Sequence, residues 1–299
     1  MPTFVAENSG GTPHTRLTNL LETALSSLDE TSPALAAVRE AYSIATGQEP
    51  YLDQMTGDLI VPTTHVVSKD EVERAWIELL TKTQETDWKA LKADRKTHWE
   101  LSVGMCSGAY EAVVLQQLAL MLRPVTVLEI GVFTGTATLA LALLPSVQRI
   151  TALDIEPFLE SFNRPYWQRA GVSSKIDFQI APALDSLEHF AKDGHEGFDL
   201  VFIDADKPGY ESYVRSIVEG SLLRENGVIL ADNTLYKGYP WAPPADFGTY
   251  SKNTGTNNQS KREAAAGISS FNDFVRNHPD LETCVLPIRD GITIIRRKI

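Results

Sequence analysis

A doubly wound, mostly parallel α/β sheet closed by an antiparallel hairpin is the fold class this sequence predicts. Three observations predict it. Beyond residue 108, short apolar runs alternate with helical stretches every 25 to 30 residues or so, the pattern of βαβ units. Two of those runs end abruptly in polar side chains, Phe198 to Asp204 and Gly227 to Asp232-Asn233, as buried parallel strands do where they reach a ligand cleft. The last two runs flank Arg289-Asp290-Gly291, and Asp-Gly between apolar segments is a hairpin signal.

The elements follow in order. Residues 1–14 are polar, with Gly10-Gly11 and Pro13, and predict a flexible start. Leu17, Leu20, Leu21, Ala24, Leu25 and Leu28 keep helical spacing over 15–28. A second helix starts after Ser32-Pro33 and stops near Gly47. Residues 48–66 are irregular, broken by Gly57 and Pro62, and a third helix covers 70–84 with Val72, Ala75, Trp76, Leu79 and Leu80 on one face. We read residues 1–104 as a helical extension, a cap or oligomerisation arm, and 105–299 as the sheet domain. In that domain helices are expected at 110–122, 136–144, 160–170, 184–192, 209–221 and 261–277. Strands are expected at 125–130, 149–155, 175–181, 198–204, 227–232, 282–287 and 292–297, seven in all. Residues 238–260, rich in Pro, Gly, Asn and Ser, form a long loop of the kind that is functional or mobile.

Composition excludes several function classes. A formal net charge of −12 opposes nucleic-acid binding, which needs a basic surface. Only Cys106 and Cys284 are present, so there is neither a disulfide framework nor a zinc spacing, and a reducing compartment is expected. The N-terminus shows no signal-peptide pattern, and we expect no membrane span and a cytoplasmic protein.

The run Val127-Leu-Glu129-Ile-Gly131-Val-Phe-Thr134-Gly135-Thr136 reads as a strand, a glycine turn and a helix start, where backbone can approach a ligand closely. Asp154 follows 23 residues after Gly131, a spacing suited to gripping ribose hydroxyls. A pyrophosphate turn requires G-x-G-x-x-G and no facing carboxylate. Here the glycines lie four apart, and Glu129 would repel pyrophosphate yet accept an amine or sulfonium. S-adenosylmethionine therefore fits better than a nicotinamide dinucleotide, although an oxidoreductase on a similar sheet stays open as the alternative.

Asp204, Asp232 and Asn233 offer oxygen donors only, which suits Mg²⁺, Ca²⁺ or Mn²⁺ rather than zinc. Such an ion could chelate adjacent hydroxyls of an aromatic ring. Lys207, three residues past Asp204, is expected to have a depressed pKa and to serve as general base.

Glu129-Ile-Gly-Val-Phe-Thr-Gly135, Asp204-Ala-Asp-Lys207, Asp232-Asn-Thr-Leu-Tyr236 and Pro287-Ile-Arg-Asp-Gly-Ile-Thr-Ile294 resemble the cation-dependent O-methyltransferases of the caffeoyl-CoA and catechol type. The likeness spans about 105–299. It implies a Rossmann-like methyltransferase sheet, a homodimer, and metal ligation by Asp204, Asp232 and Asn233. It also implies cofactor contacts at Met105, Ser107, Glu129, Gly131, Asp154, Ala183 and Asp204, and Lys207 as base. Where the family often has Ser, this chain has Ala137, so Thr136 or Thr138 is expected to substitute. Lys237 replaces a common Asn, and the segment after Ala242-Pro-Pro244 is longer than usual. These departures point away from a coenzyme A thioester and toward a smaller aromatic or natural-product acceptor, with 238–260 as part of its lid. A non-catalytic relative and an N-methylating one are the remaining alternatives.

Overall fold

Alternation along the strands decides the architecture. The computed structural model describes residues 12–46, 58–243 and 258–299. The chain enters through α1 (Pro13–Ser27) and α2 (Leu35–Thr46), then α3 (Lys69–Glu85) and the short α4 (Trp88–Ala93). The sheet domain runs α5 (Gly108–Leu122), β1 (Thr126–Ile130), α6 (Thr136–Ala142), β2 (Arg149–Asp154), α7 (Phe158–Arg169) and β3 (Ile176–Ile180). It continues with α8 (Ala183–Lys192), β4 (Phe198–Ile203), α9 (Tyr210–Glu219), β5 (Leu223–Ala231), α10 (Asn258–Asn277), β6 (Leu281–Leu286) and β7 (Ile292–Arg297).

The strands form one sheet in the order β3-β2-β1-β4-β5-β7-β6. All pairings are parallel except those of β7, which runs antiparallel to both β5 and β6. Successive side chains on a strand face opposite ways. Val127, Leu200, Phe202, Val228 and Leu230 accordingly join α3, α5 and α6 in one core. Leu128, Ile130, Val201, Ile203 and Ile229 join α8, α9 and α10 in the other. Continuous apolar strands with helices on both faces are what a parallel sheet requires.

The predicted elements occur, with four differences. The first helix begins at Pro13, because the Thr12 hydroxyl accepts the Thr15 amide at 3.0 Å and caps it. Strand β5 starts at Leu223 rather than 227: Leu223 pairs with Phe198, and the irregular Arg224–Gly227 stretch intervenes before Val228 pairs with Leu200. Helix α10 starts at Asn258, so the expected loop is shorter than 238–260, and its centre, 244–257, lies outside the described residues, as do 1–11 and 47–57. The run Val103–Leu122 has the length and mean hydropathy (1.2) of a membrane span, contrary to expectation. In the fold it is a core segment: Ala112, Leu115 and Ala119 are buried, and so are Glu111 and Gln116.

Helix α4 was not anticipated. Asp87 caps it through the Ala90 amide at 2.9 Å, and Trp88 drives it into an aromatic nest. Its ring centroid lies 5.0 Å from Phe133 and 5.4 Å from Phe162, and its indole N–H donates to the Thr83 carbonyl at 3.0 Å. Trp88→Ala should cost about 3–5 kcal/mol of stability. It should also loosen cofactor binding, since Phe133 lies in the glycine turn; urea unfolding and calorimetry measure the two effects.

Candidate active site

The carboxyl ends of β1, β2, β4 and β5 open into one cavity of about 960 Å³. Ladder hydrogen bonds continue one residue past each strand and fix these ends. The Gly131 amide donates to the Leu153 carbonyl, the Asp204 amide to Ile130 and the Asp232 amide to Ile203, each at 2.9 Å. The side chains most useful to chemistry thus start from rigid backbone. Gly131 (φ +86°) lies so close to β4 that an added Cβ would sit 2.2 Å from the Asp204 carbonyl oxygen. Around the cavity, Phe133, Asn233, Tyr236, Lys237 and Arg289 all have positive φ. Strained non-glycine backbone of this kind gathers at functional sites.

Met105, Ser107, Gly131, Asp154, Ala183, Asp204, Lys207, Asp232 and Asn233 all line the cavity. Glu129 and Thr136 do not. Glu129 shares a strand face with Val127 and is fully buried, with neither carboxylate oxygen in a hydrogen bond. Thr136 is buried at the start of α6, its hydroxyl 3.6 Å from the Cys106 thiol. Asp154 lines the cavity but is also busy holding the turn. One of its oxygens accepts the Val132 and Phe133 amides (3.0 and 2.9 Å), and the other accepts the Glu156 amide at 3.0 Å.

Burial lifts the Glu129 carboxyl from the ordinary 4.5 to about 8, helped by the Asp204 and Asp154 charges. The sign follows from linkage. A carboxyl that holds its proton more tightly when folded stabilises the fold below about pH 4.5 and loses that contribution as pH rises toward 8. Glu129→Gln should therefore flatten the decline in melting temperature of the ligand-free protein between these pH values. An unaltered decline would show that other groups cause it.

Lys207 corrects an expectation. Its half-buried ammonium donates to Asp204 Oδ1 at 2.9 Å and to the Tyr210 hydroxyl at 2.7 Å. Desolvation alone would lower its pKa, but the Asp204 charge and the Tyr210 contact outweigh it and push the pKa well above the usual lysine value. Three more acids surround it. Asp232 is held well above the carboxylate range by burial and by the charges of Glu111 and Asp204. Burial likewise raises Glu111 and Asp290 to about 7 each. Glu111 pairs with Arg289 at 3.3 Å, and Asp290 accepts the Lys237 amide at 2.5 Å.

The sequence reading missed Glu111, Glu156, Tyr210, Arg289 and Asp290. Glu111 stands one helical turn after Ser107, and Arg289-Asp290 stands out in the sequence as a turn and a family motif but not as part of the site.

The donor set fits a hard cation. Two carboxylates and an amide, all oxygen donors, sit among buried acids that raise one another's pKa values, which is the electrostatic signature of a site lacking a positive charge. Among the described residues no three His, Cys, Asp or Glu side chains converge as a metal cluster, so the third donor would be Asn233.

This sheet order, with a glycine turn after β1 and an acid after β2, is that of S-adenosylmethionine-dependent methyltransferases. Solved structures share it. The S-adenosylhomocysteine-bound methyltransferase of Podospora anserina superposes with a TM-score of 0.63 at 23% identity, covering 86% of this chain and 96% of that one. The Bacillus cereus O-methyltransferase in complex with S-adenosylhomocysteine gives 0.59 at 20% identity, covering 84% and 97%. An O-methyltransferase family model matches residues 83–298, and the chain belongs to this cation-dependent O-methyltransferase family. Caffeoyl-CoA O-methyltransferase 1 of Eucalyptus globulus is 38% identical over 196 residues, 64% of this chain and 75% of that one. The Petroselinum crispum caffeoyl-CoA O-methyltransferase is 36% identical over 205 residues, 68% and 79% respectively. The protein is an S-adenosylmethionine-dependent O-methyltransferase acting on a small-molecule acceptor, and the nicotinamide alternative falls.

Proposed function

We propose that this enzyme is metal-dependent and methylates one of two adjacent hydroxyls on a small aromatic acceptor. One observation carries the reading. Asp204 and Asp232 leave neighbouring parallel strands at the same level, each pinned by a 2.9 Å ladder bond, with Asn233 adjacent and all three in the cavity wall.

Asp204, Asp232 and Asn233 would hold Mg²⁺, or Ca²⁺ or Mn²⁺ in its place. An ion held there would supply Lewis acidity that lowers the pKa of an acceptor hydroxyl. The chain's own residues do the rest. Lys207 stands beside Asp204, half-buried in the cavity wall. As long as Asp204 faces it alone, Lys207 keeps its proton. Engaging that carboxylate elsewhere would weaken the hold on the proton, leaving the Tyr210 contact alone against desolvation, which favours the neutral amine. Lys207 then accepts the phenolic proton, the new oxygen–methyl bond forms, and the sulfur–methyl bond of the donor breaks with its electron pair returning to sulfur. Walls from the end of β1, the glycine turn and α7, among them Ile130, Phe133 and Leu159, exclude water from this exchange.

The acceptor end is bounded by Thr12, Tyr236, Lys237, Ser260, Arg289 and Asp290. Lys237 and the N-terminal helix narrow it, which favours a free catechol over a thioester. Caffeoyl-CoA, named for the plant relatives, is the comparison substrate: free caffeate or catechol should show the higher kcat/KM. Stripping the metal with a chelator should remove turnover, and Mg²⁺ should restore it. Asp232→Ala should lower kcat by about a hundredfold or more with S-adenosylhomocysteine affinity retained. Full turnover at verified negligible metal would overturn the metal role.

The same reading takes 1–104 as a cap and the enzyme as a cytoplasmic homodimer. The exposed Leu120, Met121, Leu122 and Val125 at the end of α5 support a subunit contact, and light scattering measures it.

A further inference from the structure

The cavity has a second cover opposite the acceptor end. Residues 98–101, between α4 and the 3₁₀ turn Val103–Met105, border the same space as Asp154, Ile155 and Ala183. One carboxylate fastens this segment to the sheet domain. Glu156, itself buried, accepts the His98 amide at 2.6 Å and the Trp99 amide at 3.0 Å through one oxygen. The other oxygen accepts the Phe158 amide at 3.1 Å and faces His98 Nδ1 at 3.5 Å. Glu156 in turn donates its own amide to Asp154. The segment is braced further by Lys92 donating to the His98 carbonyl at 2.6 Å and by Thr97 donating to the Trp99 carbonyl at 3.0 Å.

A chain this firmly hydrogen-bonded would be expected to bury its one large aromatic. Instead Trp99 is 53% exposed, and it shares the cavity rim with Met105 at 47% and Ile155 at 46%. Three large apolar side chains left open on the wall of one cavity match a flat heteroaromatic ring that supplies the missing contact. The aromatics nearby are otherwise packed on one another: Trp88, Phe158 and Phe162 form the nest behind the strap. Trp99 alone of this group faces outward.

We propose that His98–Leu101 is a strap over the adenosine end of the cavity, with Trp99 covering the adenine ring and Glu156 latching the strap in place. Trp99 and Glu156 are thus positioning residues for the cofactor. The inference rests on the assignment of Asp154 and Ala183 to the adenosine moiety. The latch also links cofactor to strap directly, because the carboxylate that would meet the ribose holds the amide of the residue that holds the strap.

Calorimetry with S-adenosylhomocysteine tests this on wild type, Trp99→Ala, Trp99→Phe, Glu156→Gln and Asp154→Ala. Trp99→Ala should bind about tenfold more weakly, the usual loss on deleting a stacking aromatic, and Trp99→Phe should restore most of it. Glu156→Gln should weaken binding about tenfold as charge-assisted bonds are lost. It should also speed hydrogen exchange at the His98 and Trp99 amides, raise KM for S-adenosylmethionine, and leave kcat and acceptor KM at saturating cofactor unchanged. Trp99 is exposed, so its substitution tests the cover even if Glu156→Gln folds poorly. Wild-type affinity in Trp99→Ala, with Asp154→Ala impaired, would overturn the strap and keep the adenosine assignment. Wild-type affinity in both would overturn the two together.

Discussion

Gly131→Ala should leave a protein that is hard to fold and nearly inactive. Alanine is strained at a φ of +86°, and its methyl carbon would lie 2.2 Å from the Asp204 carbonyl oxygen and 2.9 Å from Ala205 Cα. Neither neighbour is a flexible side-chain end; both are backbone. Strain and overpacking together should cost about 2–6 kcal/mol. The only relief is to part the ends of β1 and β4, which moves Asp204 relative to Asp232. A displacement of about 1 Å at reacting groups can cost on the order of a hundredfold in rate. Denaturant unfolding and kcat/KM check the two effects separately. A variant with wild-type stability would show that the turn and the strand end do not touch.

Lys207→Met should lower kcat by about 10²–10⁴-fold, the usual contribution of a general base, with the cofactor affinity little changed. Methionine keeps the apolar stem but removes the partner of Asp204, leaving the proposed cation as the counter-charge to that half-buried carboxylate. Metal affinity should therefore rise as activity falls. That pairing distinguishes a lost base from a collapsed site, which would lose both. An unchanged kcat would remove Lys207 from the chemistry.

The two halves of the site differed in how plainly the sequence displayed them. Strand ends were legible because a parallel strand buried on both faces is a continuous apolar run, and Asp204 and Asp232 stand out where it stops. The hairpin was legible through Asp290-Gly291. Side-chain direction was not. Which sheet face Glu129 takes depends on the parity of β1, and only the packing of Val127 with one core and Leu128 with the other reveals that it lies on the side of α3, α5 and α6. The charge state of Lys207 was misjudged for a related reason. Burial was foreseen, but its 2.9 Å pairing with Asp204 and its bond to Tyr210 require the three-residue 3₁₀ turn at Lys207–Gly209, which periodicity does not show. Glu111 and Glu156 were hidden because each lies in an ordinary helical or turn context and gains meaning only from a partner far along the chain, Arg289 for one and the His98 amide for the other.

The hairpin turn has a consequence beyond closing the sheet. Thr234 and Leu235 donate their amides to the Gly291 and Asp290 carbonyls, Thr293 and Thr234 share a buried hydroxyl contact, and Arg16 of α1 donates to the Lys237 carbonyl at 3.1 Å. The Asn233–Gly238 stretch is therefore clamped from both extremities of the chain. On the proposed placement of the acceptor, substitutions in α1 or in the hairpin turn should change acceptor preference while leaving the backbone positions of Asp204 and Asp232 unaltered.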